Sequence, residues 1–118
     1  MVKEIDMELD FDTAVEKLLD VAAQDFADYK MRGDYGSPTD YQEFRDNIRP
    51  EGGRKYLKIV KKLGTQDMVW GFIVKEDGGK FRKGDILKAA SWSAPATNKA
   101  RGNIFEDYDV RWTGPNYL

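Results

Sequence analysis

Lys55-Tyr-Leu-Lys-Ile-Val-Lys-Lys-Leu-Gly-Thr-Gln-Asp-Met-Val-Trp-Gly-Phe-Ile-Val-Lys75 is the stretch on which the fold turns. Leu57 and Ile59 alternate with Lys58 and Val60 in a segment enriched in β-branched residues, the pattern of a pleated, half-buried strand. Gly64-Thr-Gln-Asp67 reads as a hairpin loop, and beyond it Met68, Trp70, Phe72 and Val74 share one face of a second strand. Glu76-Asp77-Gly78-Gly79 has the Asp-Gly form of a tight turn, so another strand is expected from Lys80. Gly84 marks a bend or bulge before a strand over Ile86 to Trp92. Ser93 to Asn103, polar and small, reads as a loop, and Ile104-Phe105 with Tyr108 to Trp112 close the chain as one or two short strands.

Upstream the period lengthens from 2 to about 3.6 residues. Thr13-Ala-Val-Glu16 has the form of a capping box, and Val15, Leu18, Leu19, Ala22, Phe26 and Tyr29 follow as one apolar stripe. This amphipathic, acidic helix is expected to end near Lys30 to Arg32, before Gly33. A second helix is expected from Ser37 as cap and Pro38 as first residue, with Tyr41, Phe44 and Ile48 on its apolar face, stopped by Pro50. The expected fold class is α+β: two N-terminal helices packed on a small C-terminal antiparallel β-sheet or SH3-like barrel. At 118 residues the chain makes about one domain, with an acidic helical part over 1–51 and a basic β part over 52–118.

Charge follows that division. Residues 1–51 hold 14 Asp and Glu against 6 Lys and Arg, while residues 52–118 hold 7 against 13. Between Arg54 and Arg101 there are 12 basic residues against 4 acidic ones. Segregation of this size is explained either by the acidic half covering the basic half or by a basic surface turned toward an anionic partner, of which nucleic acid is the commonest.

The chain contains no Cys and no His, which excludes disulfides, thiolate and imidazole metal sites, Cys nucleophiles and Ser-His-Asp triads. Met1 to Asp12 is acidic where a signal peptide is basic and then apolar, and no stretch approaches the roughly 20 apolar residues of a membrane span. A cytoplasmic protein without membrane contact is therefore expected. Gly-Gly at 52 and 78 lacks the flanking residues of a phosphate-binding loop, and a Ser91 or Ser93 nucleophile paired with Lys88 would need a buried lysine. Glu106, Asp107 and Asp109 lack the spacing of a calcium loop. No catalytic residue, cofactor or metal ligand is expected.

The candidate nucleic-acid-binding residues are Lys80, Arg82, Lys83, Lys88, Trp92, Lys99 and Arg101. Lys and Arg meet phosphates, and an exposed aromatic ring stacks on a base. Against this, Phe81 and Trp92 are also good core residues, and Lys58, Lys61 and Lys62 are accounted for as a solvated strand edge.

Residues 81–113, which include Phe-Arg-Lys-Gly-Asp-Ile-Leu-Lys-Ala-Ala-Ser-Trp-Ser-Ala-Pro-Ala-Thr-Asn-Lys-Ala-Arg-Gly-Asn-Ile-Phe and then Val-Arg-Trp-Thr, resemble a segment of small uncharacterised proteins of tailed bacteriophages. The resemblance implies an accessory or host-interacting protein working in the host cytoplasm and transfers no activity to any residue. The expected function is a non-enzymatic binding module whose basic β part engages nucleic acid or an acidic protein surface. The alternative is a protein-interaction or virion-associated component acting on a host protein through its acidic helices.

Overall fold

The computed structural model describes residues 10–115; the acidic stretch 1–9, part of the N-terminal reading above, and residues 116–118 lie outside the described residues. Helix α1 (Phe11–Arg32) begins two residues before the expected capping box. Asp10 is the cap: its carboxylate accepts the Thr13 N–H at 2.7 Å, a bond that holds the carboxyl below its ordinary range. Thr13 therefore lies in the first turn, where its N–H is the group being capped. Of the expected stripe Val15, Leu18, Leu19 and Ala22 are buried, joined by Ala14 and Ala23, while Phe26 is partly buried and Tyr29 exposed; Gly33 closes the helix by donating to the carbonyls of Tyr29 and Lys30.

Helix α2 (Asp40–Asp46) is shorter at both ends than the sequence predicts. Ser37 is not its cap. The Ser37 N–H instead donates to the buried carboxylate of Asp40 at 2.7 Å, which makes a turn of residues 37–39 and delays the helix. At the other end Asn47 donates its side-chain amide to Glu43 O at 2.7 Å and its N–H to Phe44 O. Ile48 to Glu51 then form an edge strand, β1 (Ile48–Glu51), so Ile48 enters the core from the sheet and not from a helix face. Pro50 is therefore not what stops the helix, which already ends at Asp46; it sits within the edge strand, a position that needs no ladder donor.

Strands β2 (Tyr56–Leu63) and β3 (Gln66–Val74) form the expected hairpin with a tighter loop than the four residues predicted: Leu63 already pairs with Gln66, and Gly64 takes the left-handed φ of 64° that the turn requires. The ladder slips once. Ile59 faces Gly71 and Val60 faces Val69, so Trp70 is one residue extra on β3. The bulge corrects the expected alternation. Trp70 turns to the same side as Ile59 and Ile73, under α1, while Phe72 and Val74 turn to the other side.

β4 (Ile86–Leu87) pairs with β3 and completes an antiparallel sheet in the order β1-β2-β3-β4; β5 (Val110–Arg111) and β6 (Gly114–Pro115) make a second, two-stranded sheet. The architecture is α+β. Among the described residues β1 and β4 do not pair, so the sheet is open and the SH3-like closure is not present in the pairings. No extended strand runs from Lys80 or through Trp92; a Gly78–Phe81 bridge and an Ala89–Pro95 bridge stand in their place. Gly84 takes a φ of 90°, and its N–H bonds Val74 O at 2.8 Å, the sharp bend expected of it.

The helices cover one sheet face. Their apolar stripe packs with Ile48, Ile59, Trp70, Ile73, Ile86, Ile104 and Val110. Trp112 wedges against Phe26 at 5.2 Å and Tyr29 at 5.2 Å, and its N–H donates to the Asp25 carboxylate at 2.9 Å. Lys61, taken from sequence as part of a solvated edge, is instead buried on this side of an interior strand. Its ammonium donates to Trp112 O at 2.9 Å and lies 5.0 Å from the indole centre, and burial lowers its pKa to about 8.

Candidate nucleic-acid interface

The sheet face turned away from α1 has a different chemistry. Phe72, Val74 and Leu87 are buried there, and Tyr56 and Phe81 pack on them half-buried. The register places Tyr56 opposite Val74 and Lys58 opposite Phe72, so the two side chains, two residues apart, share this face. The Tyr56 ring meets Phe72 edge-on at 6.3 Å. Over Lys58 sits Trp92, about half exposed at 51%, with the ammonium 4.2 Å from its ring centre. Trp92 is thus not the core residue that the structural reading of the sequence favoured.

A trough runs along this face. One section of about 720 Å³ is lined by Arg54, Lys55, Tyr56, Glu76, Lys80 and Phe81 among others. A second section of about 310 Å³ shares Arg54, Lys55 and Tyr56 and adds Lys58, Phe72 and Ser93, the neighbour of Trp92. Backbone bonds hold its walls. Lys75 donates its ammonium to Gly53 O at 2.6 Å and its N–H to Lys55 O, which sets the start of β2 against the end of β3. Gly78 and Phe81 bond each other in both directions, and Asp77 accepts the Lys83 N–H at 2.8 Å. Lys80 spans to the 93–103 loop by donating to the carbonyls of Thr97, at 3.0 Å, and Asn98.

Of the seven residues predicted to bind nucleic acid, Lys80 lines this trough, Trp92 stands beside it against Lys58, and the rest are scattered. Arg82 is clamped by Glu106 through two bonds of 2.9 and 3.0 Å, which raise the guanidinium pKa and lower that of the carboxyl. The Lys83 ammonium lies 5.7 Å from the Phe11 ring at the start of α1. Lys88 reaches toward Pro115 O at 3.4 Å. Lys99 is exposed on the loop that contributes Thr97. Arg101 is a correction: it is only 3% exposed, with its N–H bonded to Ile86 O at 2.7 Å, so it belongs to the interior and presents no surface to a phosphate. The run from Lys80 to Arg101 is one stretch of sequence but not one surface, because the bend at Gly84 and the short β4 send successive side chains to different sides.

The residues missed are Arg54, Lys55, Tyr56, Lys58 and Glu76. Tyr56 and Lys58 could have been placed by their two-residue spacing, had their pairing with Val74 and Phe72 been legible. Among the described residues no ion pair joins a carboxylate of α1 or α2 to Arg54, Lys55, Lys58 or Lys80, while Glu51, the last acid of the acidic half, lines the second section and stands opposite Lys58 in the ladder. Glu16 and Asp20 pair with Arg45, and Asp25 with Arg111 at 3.6 Å. Among the described residues no group of three or more acidic side chains is placed to hold a metal ion, and no helix is long and apolar enough to cross a membrane.

The profile of a family of unknown function, DUF7717, spans residues 2–116. The chain belongs to that family. No curated protein and no solved structure matches it. The family's description names no activity or partner, so what bears on function in this member is the chemistry of the trough itself.

Proposed function

We propose that the chain is a non-enzymatic binding module whose trough takes a single strand of nucleic acid. A strand needs flat rings on which bases stack and cations that follow its backbone, and an open sheet face supplies both without reading a duplex groove. Trp92, Tyr56 and Phe81 provide the rings; Arg54, Lys55, Lys58 and Lys80 provide the charge. The observation that carries the reading is Trp92, a large indole left half exposed beside a lysine on the one sheet face the helices do not cover. Closure into an SH3-like barrel is not needed for it. The setting in which the module would work, the host cytoplasm of a phage-encoded protein, rests on the resemblance of residues 81–113 alone.

Fluorescence polarisation with a labelled single strand of about ten nucleotides tests the proposal. Affinity is expected to fall at least about tenfold between about 50 and 200 mM salt, and Trp92→Ala is expected to weaken it by about 1–3 kcal/mol. No binding at the lower salt, or binding indifferent to salt and to Trp92, contradicts it.

A second reading is favoured by the C-terminal end of the acidic helix α1, where Met31 is 67% exposed and Tyr35, just beyond it, 68%. There the acidic helices would contact a basic surface on a host protein. Capture of one protein from nuclease-treated lysate, lost on Met31→Asp but retained on Trp92→Ala, would support this reading over the first.

A further inference from the structure

The trough is not uniformly basic. Glu76 and Asp77 line its larger section together with Phe81, Arg54 and Lys55. A surface built only to attract phosphates has no use for carboxylates at that point, and a cationic ligand is disfavoured by Arg54, Lys55 and Lys80 in the same section. The two acids differ in what they are free to do. Asp77 is committed to its turn through the Lys83 N–H at 2.8 Å, whereas Glu76 is an exposed residue of the section's lining. About 720 Å³ is ample for a nucleobase with its sugar.

Resting on the single-strand reading above, we propose that this section is a base pocket selective for guanine, read by the Glu76 carboxylate. An ionised carboxylate accepts hydrogen bonds and donates none. Single-stranded bases expose their Watson–Crick edges, and guanine alone presents two adjacent donors there, N1–H and N2–H, which fit the two carboxylate oxygens. Adenine and cytosine set an acceptor beside their one amino group, and uracil sets its one donor between two carbonyls, so each leaves a carboxylate oxygen facing a lone pair. Phe81 or Tyr56 supplies the ring for the base to lie on, and Arg54, Lys55 and Lys80 meet the flanking phosphates. The carboxylates thus give up some general affinity for discrimination.

The test uses the whole chain and uridine-rich strands of about ten nucleotides with a central block of guanosine, inosine or uridine, in ribo and deoxy forms. Inosine keeps N1–H and lacks the N2 amino group. Guanosine strands are expected to bind about tenfold tighter than inosine strands in both sugar series, within the range of one bidentate base contact. Glu76→Gln is expected to abolish the guanosine advantage while the uridine strand binds as before or slightly tighter. Equal affinity for guanosine and inosine, a preference confined to one sugar, or a preference that survives Glu76→Gln overturns the assignment but leaves the trough reading standing. Failure of every strand to bind at low salt overturns both.

Discussion

Lys58 and Lys61 sit three residues apart on β2, each with its ammonium over an indole, and they report the two faces of one sheet. Lys58 lies 4.2 Å from the ring of Trp92, which is half exposed on the uncovered face. Lys61 lies 5.0 Å from Trp112, 4% exposed on the side that α1 covers, and its charge is expensive enough there to lower its pKa to about 8. The same pair of residue types is a binding element on one side and a packing element on the other. What separates them is the odd spacing along the strand and the presence of a helix, which composition does not reveal.

The largest effect expected from that division comes from Trp70. It is 2% exposed, packed under α1, and donates its indole N–H to Arg111 O at 2.9 Å. Trp70→Ala is expected to cost about 3–5 kcal/mol in urea unfolding, enough to leave a domain of ordinary stability marginal, while Trp92→Ala costs less than about 1 kcal/mol. Similar losses at both tryptophans would erase the distinction between the faces. Next comes Gly84→Ala. The φ of 90° disfavours any side chain, and an added Cβ would stand 2.7 Å from the Phe105 ring, so a loss of about 1–3 kcal/mol is expected from thermal unfolding. An unchanged transition would mean that the bend is not fixed as described.

The Lys61 amine sharpens the comparison through pH. Burial lowers its pKa from 10.5 to about 8, so between those values the unfolded chain binds more protons than the folded one. Its contribution therefore makes stability rise with pH across that window, and below pH 8 the buried charge opposes folding at a constant level. Lys61→Met is expected to flatten the rise, measured by urea unfolding at pH 7 and again between about 8 and 10. Lys58→Met is expected to leave the slope as it is. An unaltered slope in Lys61→Met would place this ammonium in water. The smallest effect is predicted for Arg82→Ala. Its close partner Glu106 is as exposed as it is, and the buried Asp85, 3.7 Å away, keeps its bonds to the Arg82 N–H and Asn103, so neither the unfolding transition nor oligonucleotide affinity should move measurably.

Much of the fold was legible because it is written in local periodicity: the stripe of α1, the β2–β3 hairpin, the bend at Gly84. What escaped the reading are features in which tertiary contacts outweigh local preference. Ile48 and Pro50 look like the end of a helix until β2 is present to pair with them. Trp70 and Phe72 look like one face until the ladder shows Trp70 to be the extra residue of a bulge. The site was harder still. Lys80 and Trp92 were found by residue type, yet the residues that join them come from the start of β2, more than twenty positions upstream. Arg101 shows the opposite failure: a basic residue in a basic run that folding encloses.

Backbone amide shifts followed by NMR during titration with a short guanosine-containing strand test the central claim most directly. The account predicts perturbations clustered at residues 54–58, 76–81 and 92–97, with α1 (Phe11–Arg32) silent along its length. Perturbations centred on α1, or spread evenly over both sheet faces, would contradict it.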